Sequence, residues 1–442
     1  MPEPQKTAGP ARAPISVPFF YGWVVVALSF LACLVTAGIR SAPAVLIHPL
    51  EAEFGWSRAA VASAASLNLL LFGLAAPFGG WLIDRYGARR VILGCLALVA
   101  GGVTTVVFVR ELWQLILVWG VLIGIATGLT PPLGASVASR WFVARRGIAL
   151  GILTNANAAG QVIFLPLLMA LIVASGWRTA LLLMVAVSLF LMPFIVLWLR
   201  DDPSDVGLEP YGSEKEGRAG ESRDAAARGG SSRGSVSSVS VVFKTPSFWL
   251  LSGCFFVCGV TANGLIGTHL IPHAIERGIP QVTAAAVVGV MGGMSFVGTL
   301  ISGWLVDRID PRKVLAAVYA LRGSSLFILP FVSDATGLLV FAVIYGLDWF
   351  ASGPGTVAII AEVFGKSAVG RVFGLAFVFH QVGGALAAVA GGWVYSQFGD
   401  YQYAFITGGI LGLMAAGLAL TIPLKPRKQM EAIATSAELA GV

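Results

Sequence analysis

Along most of its length the chain repeats one pattern: a continuous apolar run, a short polar stretch, and another apolar run. Crossing about 30 Å of hydrocarbon takes roughly 20 helical residues, and runs of that length recur twelve times, near 20–47, 58–82, 89–109, 112–139, 146–173, 177–199, 247–272, 282–306, 312–331, 336–363, 369–395 and 401–423. The runs are apolar on every face, whereas strands of a membrane barrel alternate over about ten residues, so the pattern predicts an all-α membrane protein of twelve transmembrane helices. The first run, from Val24 to Ile47, has no convincing small-residue cleavage site and is read as a retained span.

The pattern breaks once, between Arg200 and Lys244, where Gly, Ser, Asp, Glu and Arg take over, as in Glu214-Lys215-Glu216-Gly217-Arg218. Such a composition predicts a flexible linker. The expected organisation is a tail over 1–19, a six-helix bundle over 20–199, the linker over 200–246, a second six-helix bundle over 247–423 and a tail over 424–442. A repeat supports the division. Gly80-Trp81-Leu82-Ile83-Asp84-Arg85 returns as Gly303-Trp304-Leu305-Val306-Asp307-Arg308 at an offset of 223 residues, between the second and third spans of each half. Parallel repeats that rock against each other are a transporter architecture. Asp84 and Asp307 are able to accept hydrogen bonds at a helix N-terminus or pair with a nearby arginine, so Asp84, Arg85, Asp307 and Arg308 are read as a conformational latch. A plain basic anchoring loop would explain the arginines but not the repeated glycine and aspartate.

With 57% hydrophobic and 12% charged residues, the chain needs lipid as its solvent. The net charge of +7 does not point to nucleic acid, because Arg85, Arg89, Arg90, Arg140, Arg145, Arg146, Arg308, Arg312, Lys313, Lys366 and Arg371 all fall in alternate loops. Basic loops stay inside, which places these loops and both termini in the cytoplasm and the protein in the cell inner membrane, as a monomer. The other loops mix charges, including Glu51, Glu53, Arg58, Arg110, Glu111, Glu276, Arg277, Asp334 and Asp400. Cys33, Cys95, Cys254 and Cys258 lie inside spans and are read as packing residues; no cofactor or metal site is expected.

The duplicated Gly-x-Leu-x-Asp-Arg pattern resembles the signature loop of the major facilitator superfamily, and the resemblance runs along the whole chain. It implies a fold of two pseudo-symmetric six-helix bundles. Arg140-Trp141-Phe142-Val143-Ala144-Arg145-Arg146-Gly147, with Ala158-Ala159-Gly160, Gly176-Trp177-Arg178 and Phe398-Gly399-Asp400-Tyr401-Gln402-Tyr403, is similar to the monocarboxylate transporter branch. In that branch a lysine stands within one residue of the place of Arg40, on a helix that lines the central cavity. The branch also carries an aspartate and an arginine four apart in its eighth span, where this chain has Ser295 and Thr299.

Ionisable groups inside the spans cost about 2.5–3.5 kcal/mol each on insertion scales and need a reason. Four stand out. Arg40 offers a planar fork for a carboxylate, against the alternative of a side chain reaching to the outer interface. Arg322 and Asp348 lie about ten residues into adjacent, oppositely directed helices, where an ion pair is either structural or releases Asp348 to exchange a proton. His380, as a histidine, is a residue type suited to proton coupling or substrate binding, or is a neutral helix-to-helix bond. His48, His269 and His273 read as interface residues. Among uncharged groups, Trp119 and Asn157 or Gln161 are candidates for the cavity, and Tyr345 and Trp349 share a face beside Asp348 and would wall a small pocket.

No phosphate-binding glycine loop or zinc-hydrolase motif occurs, which excludes an ATPase and argues against a membrane enzyme. The expected function is alternating-access transport of a small organic anion, a monocarboxylate such as lactate or pyruvate, with a proton. The alternatives are a proton-coupled exporter of amphipathic compounds and a dicarboxylate exchanger.

Overall fold

The computed structural model describes residues 19–213, 242–365 and 368–424. Residues 1–18 and 425–442 of the two expected tails, Lys366 and most of the expected linker, 214–241, lie outside the described residues. Twelve helices are long and apolar enough to cross a membrane among them: α1 (Gly22–Phe54), α2 (Arg58–Tyr86), α3 (Ala88–Val107), α4 (Leu112–Trp141), α5 (Ile148–Ser175), α6 (Trp177–Trp198), α7 (Pro246–Glu276), α8 (Gln281–Val306), α9 (Pro311–Phe331), α10 (Ala335–Phe364), α11 (Val369–Phe398) and α12 (Gln402–Leu420). Phe190, Leu300 and Phe331 are largely exposed on their outer faces, as a belt solvated by lipid tails requires.

The caps follow from local chemistry. Ser57 Oγ accepts from Ala60 N at the start of α2, and Asp334 Oδ1 from Gly337 N at the start of α10. Asp310 accepts from Arg312 N at the start of α9, and the Arg312 guanidinium holds its carboxyl below the usual carboxylate range. Between α2 and α3 the chain turns on a single residue, Gly87, at φ 85°. A Cβ there would run into the Asp201 carboxylate, which itself accepts from Arg89 N at 2.8 Å.

α1 and α7 run several residues beyond the predicted spans, past Pro43 and Pro272, into charged sequence. Hydropathy ends a span at its first charges; here those turns pack on each other across the molecule, so the helices continue. The start of the linker also departs from its composition. Residues 200–213 fold back on the first bundle: Asp201 caps α3, and Val143 N and Ala144 N donate to Tyr211 O at 3.1 and 2.9 Å.

Within the first bundle α1 packs on α5, α2 on α4 and α3 on α6; within the second, α7 packs on α11, α8 on α10 and α9 on α12. The bundles meet along α2 with α11 and α5 with α8. Ser66 Oγ donates to Ala385 O at 2.6 Å, and Gly392 faces Ala59 so closely that a Cβ would sit 2.8 Å from the Ala59 Cα. These contacts fall in the half of the molecule away from the duplicated loops. Small residues at such a seam let backbones approach where lipid offers no hydrophobic drive.

Candidate functional site

Between the bundles lies a cleft of about 420 Å³, counting the part open to solvent. Its polar lining comes from both halves: Arg40 and Ser41 of α1, Asn68 of α2, Gln161 of α5, and Asn263 and Thr268 of α7. Local backbone sets these positions. Ser41 Oγ bonds back to the Ala37 and Gly38 carbonyls just before Pro43, where α1 bends. Asn263 rides on a wide π turn at 260–266 within α7, a distortion that re-aims a side chain without ending the helix. Arg40 and Asn263 stand 223 residues apart, the offset of the duplicated loop, so equivalent positions of the two repeats face one cleft, one cationic and the other neutral.

Arg40 supplies the only charge among the described residues lining the cleft. Its guanidinium carbon lies 4.7 Å from the centre of the Phe72 ring, and its buried Nε has no hydrogen-bond partner among the described residues. A cation held over an aromatic face with donors unspent is ready for an anion. Asn68 Nδ2 is spent on Trp119 O at 2.8 Å, and Asn263 Nδ2 points to Gln381 Oε1 at 3.4 Å. Of the pair Asn157 and Gln161, it is Gln161 that lines the cleft; Asn157 is half-buried outside that lining. Trp119 is buried inside the first bundle and contributes its carbonyl to Asn68 rather than a surface to the cleft.

A second polar cluster sits inside the second bundle. Arg322, with no exposed surface, donates from Nε to Asp348 Oδ1 at 2.5 Å and from Nη2 to the carbonyls of Asp348 and Trp349 at 2.8 and 3.0 Å. Those carbonyls end the first segment of α10, which breaks at Phe350 and Ala351 before resuming. Arg322 therefore both pairs a buried carboxylate and caps an interrupted helix. Its remaining Nη1 donates to Cys258 Sγ at 2.8 Å. Tyr345 and Trp349 pack around this cluster and do not line the cleft. His380 also lies behind the lining, stacked on Phe377 at 5.5 Å and 11°. Cys258, read from the sequence as packing, is a bonding partner here; apolar neighbours hide that in a sequence, and its position one helical turn from Cys254 carries no signal of it.

At the face away from the duplicated loops, charges read as mixed loop residues form one network between the bundles. Arg58, only 4% exposed, holds Glu51 with Nε and Nη2 at 2.9 and 2.8 Å. It reaches Glu276 of α7 through Nη2 at 2.8 Å, and its Nη1 donates to the Tyr401 hydroxyl at 3.2 Å. The Tyr395 ring lies 3.7 Å beneath its guanidinium carbon. Burial holds the Tyr401 phenol above its ordinary range, so it stays a neutral hydroxyl shared with His269 Nδ1 at 3.3 Å. Nearby, Arg178 binds Glu53 through both oxygens and joins α6 to α1, while Arg277 and Asp400, 3.1 Å apart, join α7 to α12. The Gly176-Trp177-Arg178 and Phe398-to-Tyr403 motifs are thus the clasps of the two bundles, with acid and base exchanged between them.

In the first duplicated loop Asp84 meets Arg140 of α4 at 3.4 Å, and Arg140 also meets Asp202 at 3.4 Å. Arg85 lies over Trp81 at 5.4 Å, and Arg308 over Trp304 at 4.1 Å, where it also donates to the Trp304 carbonyl. Asp307 ends α8. The helix N-terminal acceptors next to the two loops are Asp201 and Asp310 rather than Asp84 and Asp307.

Two equivalent bundles around a polar cleft, embedded by twelve apolar helices and bridged by charge at one face, define a membrane transporter and not an enzyme. The chain belongs to the Major Facilitator Superfamily, whose model matches residues 28–353 and again 294–440. It is 28% identical over 416 residues to human monocarboxylate transporter 11, covering 91% of this chain and 83% of that protein. It is 27% identical over 405 residues to rat monocarboxylate transporter 13, covering 91% and 89%. An uncharacterized MFS-type transporter of Bacillus subtilis strain 168, YcxA, is 25% identical over 425 residues, covering 91% and 95%. Among solved structures, a bacterial homolog of the human lysosomal transporter Spinster, crystallised in an inward-facing and occupied conformation, superposes with a TM-score of 0.72 at 16% identity, covering 92% of this chain and 97% of that one.

Proposed function

We propose that this protein moves a small organic monoanion, a monocarboxylate such as lactate or pyruvate, together with a proton by alternating access. The observation that carries the reading is Arg40: a lone cation lining the cleft between the bundles, with a buried donor unspent and no carboxylate among the described lining residues to neutralise it. A guanidinium there donates two parallel hydrogen bonds to one carboxylate. Gln161, Asn263 and Thr268 supply uncharged polar partners for a hydroxyl or oxo substituent. The relatedness to monocarboxylate transporters supports the same class.

A proton accompanying the anion makes each cycle electroneutral and avoids about 2.3 kcal/mol per charge per 100 mV. Asp348, with Oδ2 buried and unpartnered among the described residues, and His380, with Nδ1 likewise, are groups with proton capacity inside the second bundle. The two bundles, 20–199 and 247–423, rock about the cleft. With the basic loops and both termini in the cytoplasm of the cell inner membrane, the Arg58 network seals the outer face and the conformation is inward-facing. Asp84, Arg85, Asp307 and Arg308 then act as the latch that forms on the cytoplasmic side in the opposite state.

The test is purified protein in liposomes loaded with a pH dye, given lactate, pyruvate or acetate against an amide of the same size. Lumenal acidification by the acids above protein-free controls is the expected result. Acidification no different from empty liposomes with all the acids overturns the proposal and favours dicarboxylate exchange or amphipathic export.

A further inference from the structure

The two repeats keep one register through the helices that bear the cleft. Ser29 and Ser252, Pro49 and Pro272, and Glu53 and Glu276 each stand 223 residues apart, on α1 and α7. Ser29 and Ser252 are both buried with a hydroxyl that has no partner among the described residues, and Pro49 and Pro272 both lie inside their helices. The match extends to the helices packed beside them. Gly160 of α5 and Gly383 of α11 are again 223 apart, and a Cβ on either would run into the neighbouring backbone, at Leu34 O of α1 and Phe256 O of α7. In this register Arg40 corresponds to Asn263, and Gln161 to Gly384. The first bundle therefore brings a cation and an amide to the cleft, whereas the second brings an amide with a glycine beside it, where a Cβ would sit 3.3 Å from the Asn263 Cβ.

We infer that Asn263 is a specificity-determining residue that holds the substrate to a single carboxylate, because a neutral amide stands where the repeat register would set a second arginine. The inference rests on the monocarboxylate reading above and deepens it. Arg40 can pair one carboxylate through its planar fork. A second carboxylate on the same molecule would have to leave water for uncharged groups, and much of their donor capacity is already spent. Thr268 Oγ1 donates to the Asn263 carbonyl at 3.1 Å, and Ser41 Oγ donates to the Ala37 and Gly38 carbonyls. A hydroxyl has one hydrogen, so both present lone pairs to the cleft rather than donors. Asn68 Nδ2 is spent on Trp119 O, and Asn263 Nδ2 is turned to Gln381 Oε1. Removing an ionised carboxylate from water without a counterion is far more costly than removing a hydroxyl or oxo group. A dianion is thus rejected by its own unpaired charge, while a neutral substituent meets amides and lone pairs it is able to bond.

Ligand-induced thermal stabilisation of the purified full chain tests this, with lactate, succinate and monomethyl succinate titrated near neutral pH. Succinate then carries two charges and its monomethyl ester one. In the parent protein lactate and the ester are expected to act at concentrations about 10- to 100-fold below succinate, the weight of one charge-assisted pair. Equal action of succinate and its ester overturns the inference. So does a response to lactate with none to either succinate compound, since size then sets the limit. Asn263→Arg should shift the preference toward succinate over lactate by about 10- to 100-fold. An unchanged preference in a folded Asn263→Arg overturns the inference and leaves the monocarboxylate reading standing. Should Asn263→Arg fail to fold, Asn263→Lys carries the same expectation, and the comparison of succinate with its ester on the parent protein decides without any variant. A parent silent to all three acids, or responding to succinate alone, fails the monocarboxylate reading and takes the inference with it.

Discussion

Phe72 of α2 and Phe377 of α11 meet edge to face across the seam between the bundles, with ring centroids 6.1 Å apart. On one side Phe72 lies under Arg40, and on the other Phe377 stacks on His380. Two rings therefore join the cation of the cleft to the polar interior of the second bundle. Aromatic packing of this kind transmits position, because a ring is rigid and its neighbours are close-packed.

Arg40→Ala should remove carboxylate binding while leaving the fold intact, because the guanidinium makes no ion pair among the described residues. A charge-assisted pair contributes about 1.5–3 kcal/mol, or about 10- to 100-fold in affinity. Arg40→Lys should fall between, since an ammonium lacks the planar fork. Substrate-induced thermal shift of the purified variants measures this; an undiminished shift in Arg40→Ala would move the site elsewhere.

The Arg58 network should set the balance between the two faces. Glu276→Gln removes the acid contributed by the second bundle, and Arg58→Ala removes its partner on the first. Arg58 is buried but Glu276 is 35% exposed, so solvent screens part of the pair and breaking it costs about 1–3 kcal/mol, enough to shift a two-state equilibrium by about 5- to 150-fold. A reporter cysteine at Thr268, in a background without the four native cysteines, should gain access to an impermeant maleimide applied from the Arg58 side in either variant. Labelling equal to the unmodified network would show that the seam holds without it.

Arg322 and Asp348 should respond asymmetrically. Asp348→Asn leaves the capping bonds to the Asp348 and Trp349 carbonyls in place, whereas Arg322→Gln removes those bonds and strands a buried carboxylate. Arg322→Gln is therefore the more destabilising, by about 3–5 kcal/mol, and adding Asp348→Asn to it should recover part of the loss. Thermal unfolding of both single variants and the double variant in detergent resolves the order; equal single effects with no recovery would separate the two residues.

Asp84→Asn should slow turnover and barely alter stability. Asp84 is 78% exposed and its contact with Arg140 is 3.4 Å long, so the bond contributes below about 1 kcal/mol in this state. Its weight falls on the opposite conformation. Single-turnover and steady-state uptake compared at saturating substrate give the answer, with a parent-like rate counting against a latch.

The clasps show where a sequence is legible and where it is not. Gly176-Trp177-Arg178 stands out as a motif, but its role needs Glu53, which lies 124 residues before Trp177 and at the end of another helix. Arg58 reads as a loop charge beside Trp56 and Ser57; its burial comes from Glu276, Tyr395 and Tyr401, all on the far bundle. Tyr345 and Trp349 share a face with the aspartate, as helical periodicity requires, yet which way that face turns is decided by Arg322 on α9.

Hydropathy determined twelve spans and their helical form, because an apolar run in lipid has no other way to satisfy its backbone, and the duplicated loop divided them into two repeats. The 223-residue offset likewise matched Gly80-to-Arg85 with Gly303-to-Arg308. Tertiary structure decided which polar residues face the cleft, that Cys258 bonds to Arg322, and that Arg58 bridges the two bundles. These depend on helix rotation and on contacts between residues hundreds of positions apart. A uniformly apolar helix carries no stripe to announce its orientation, so packing against its neighbours sets it.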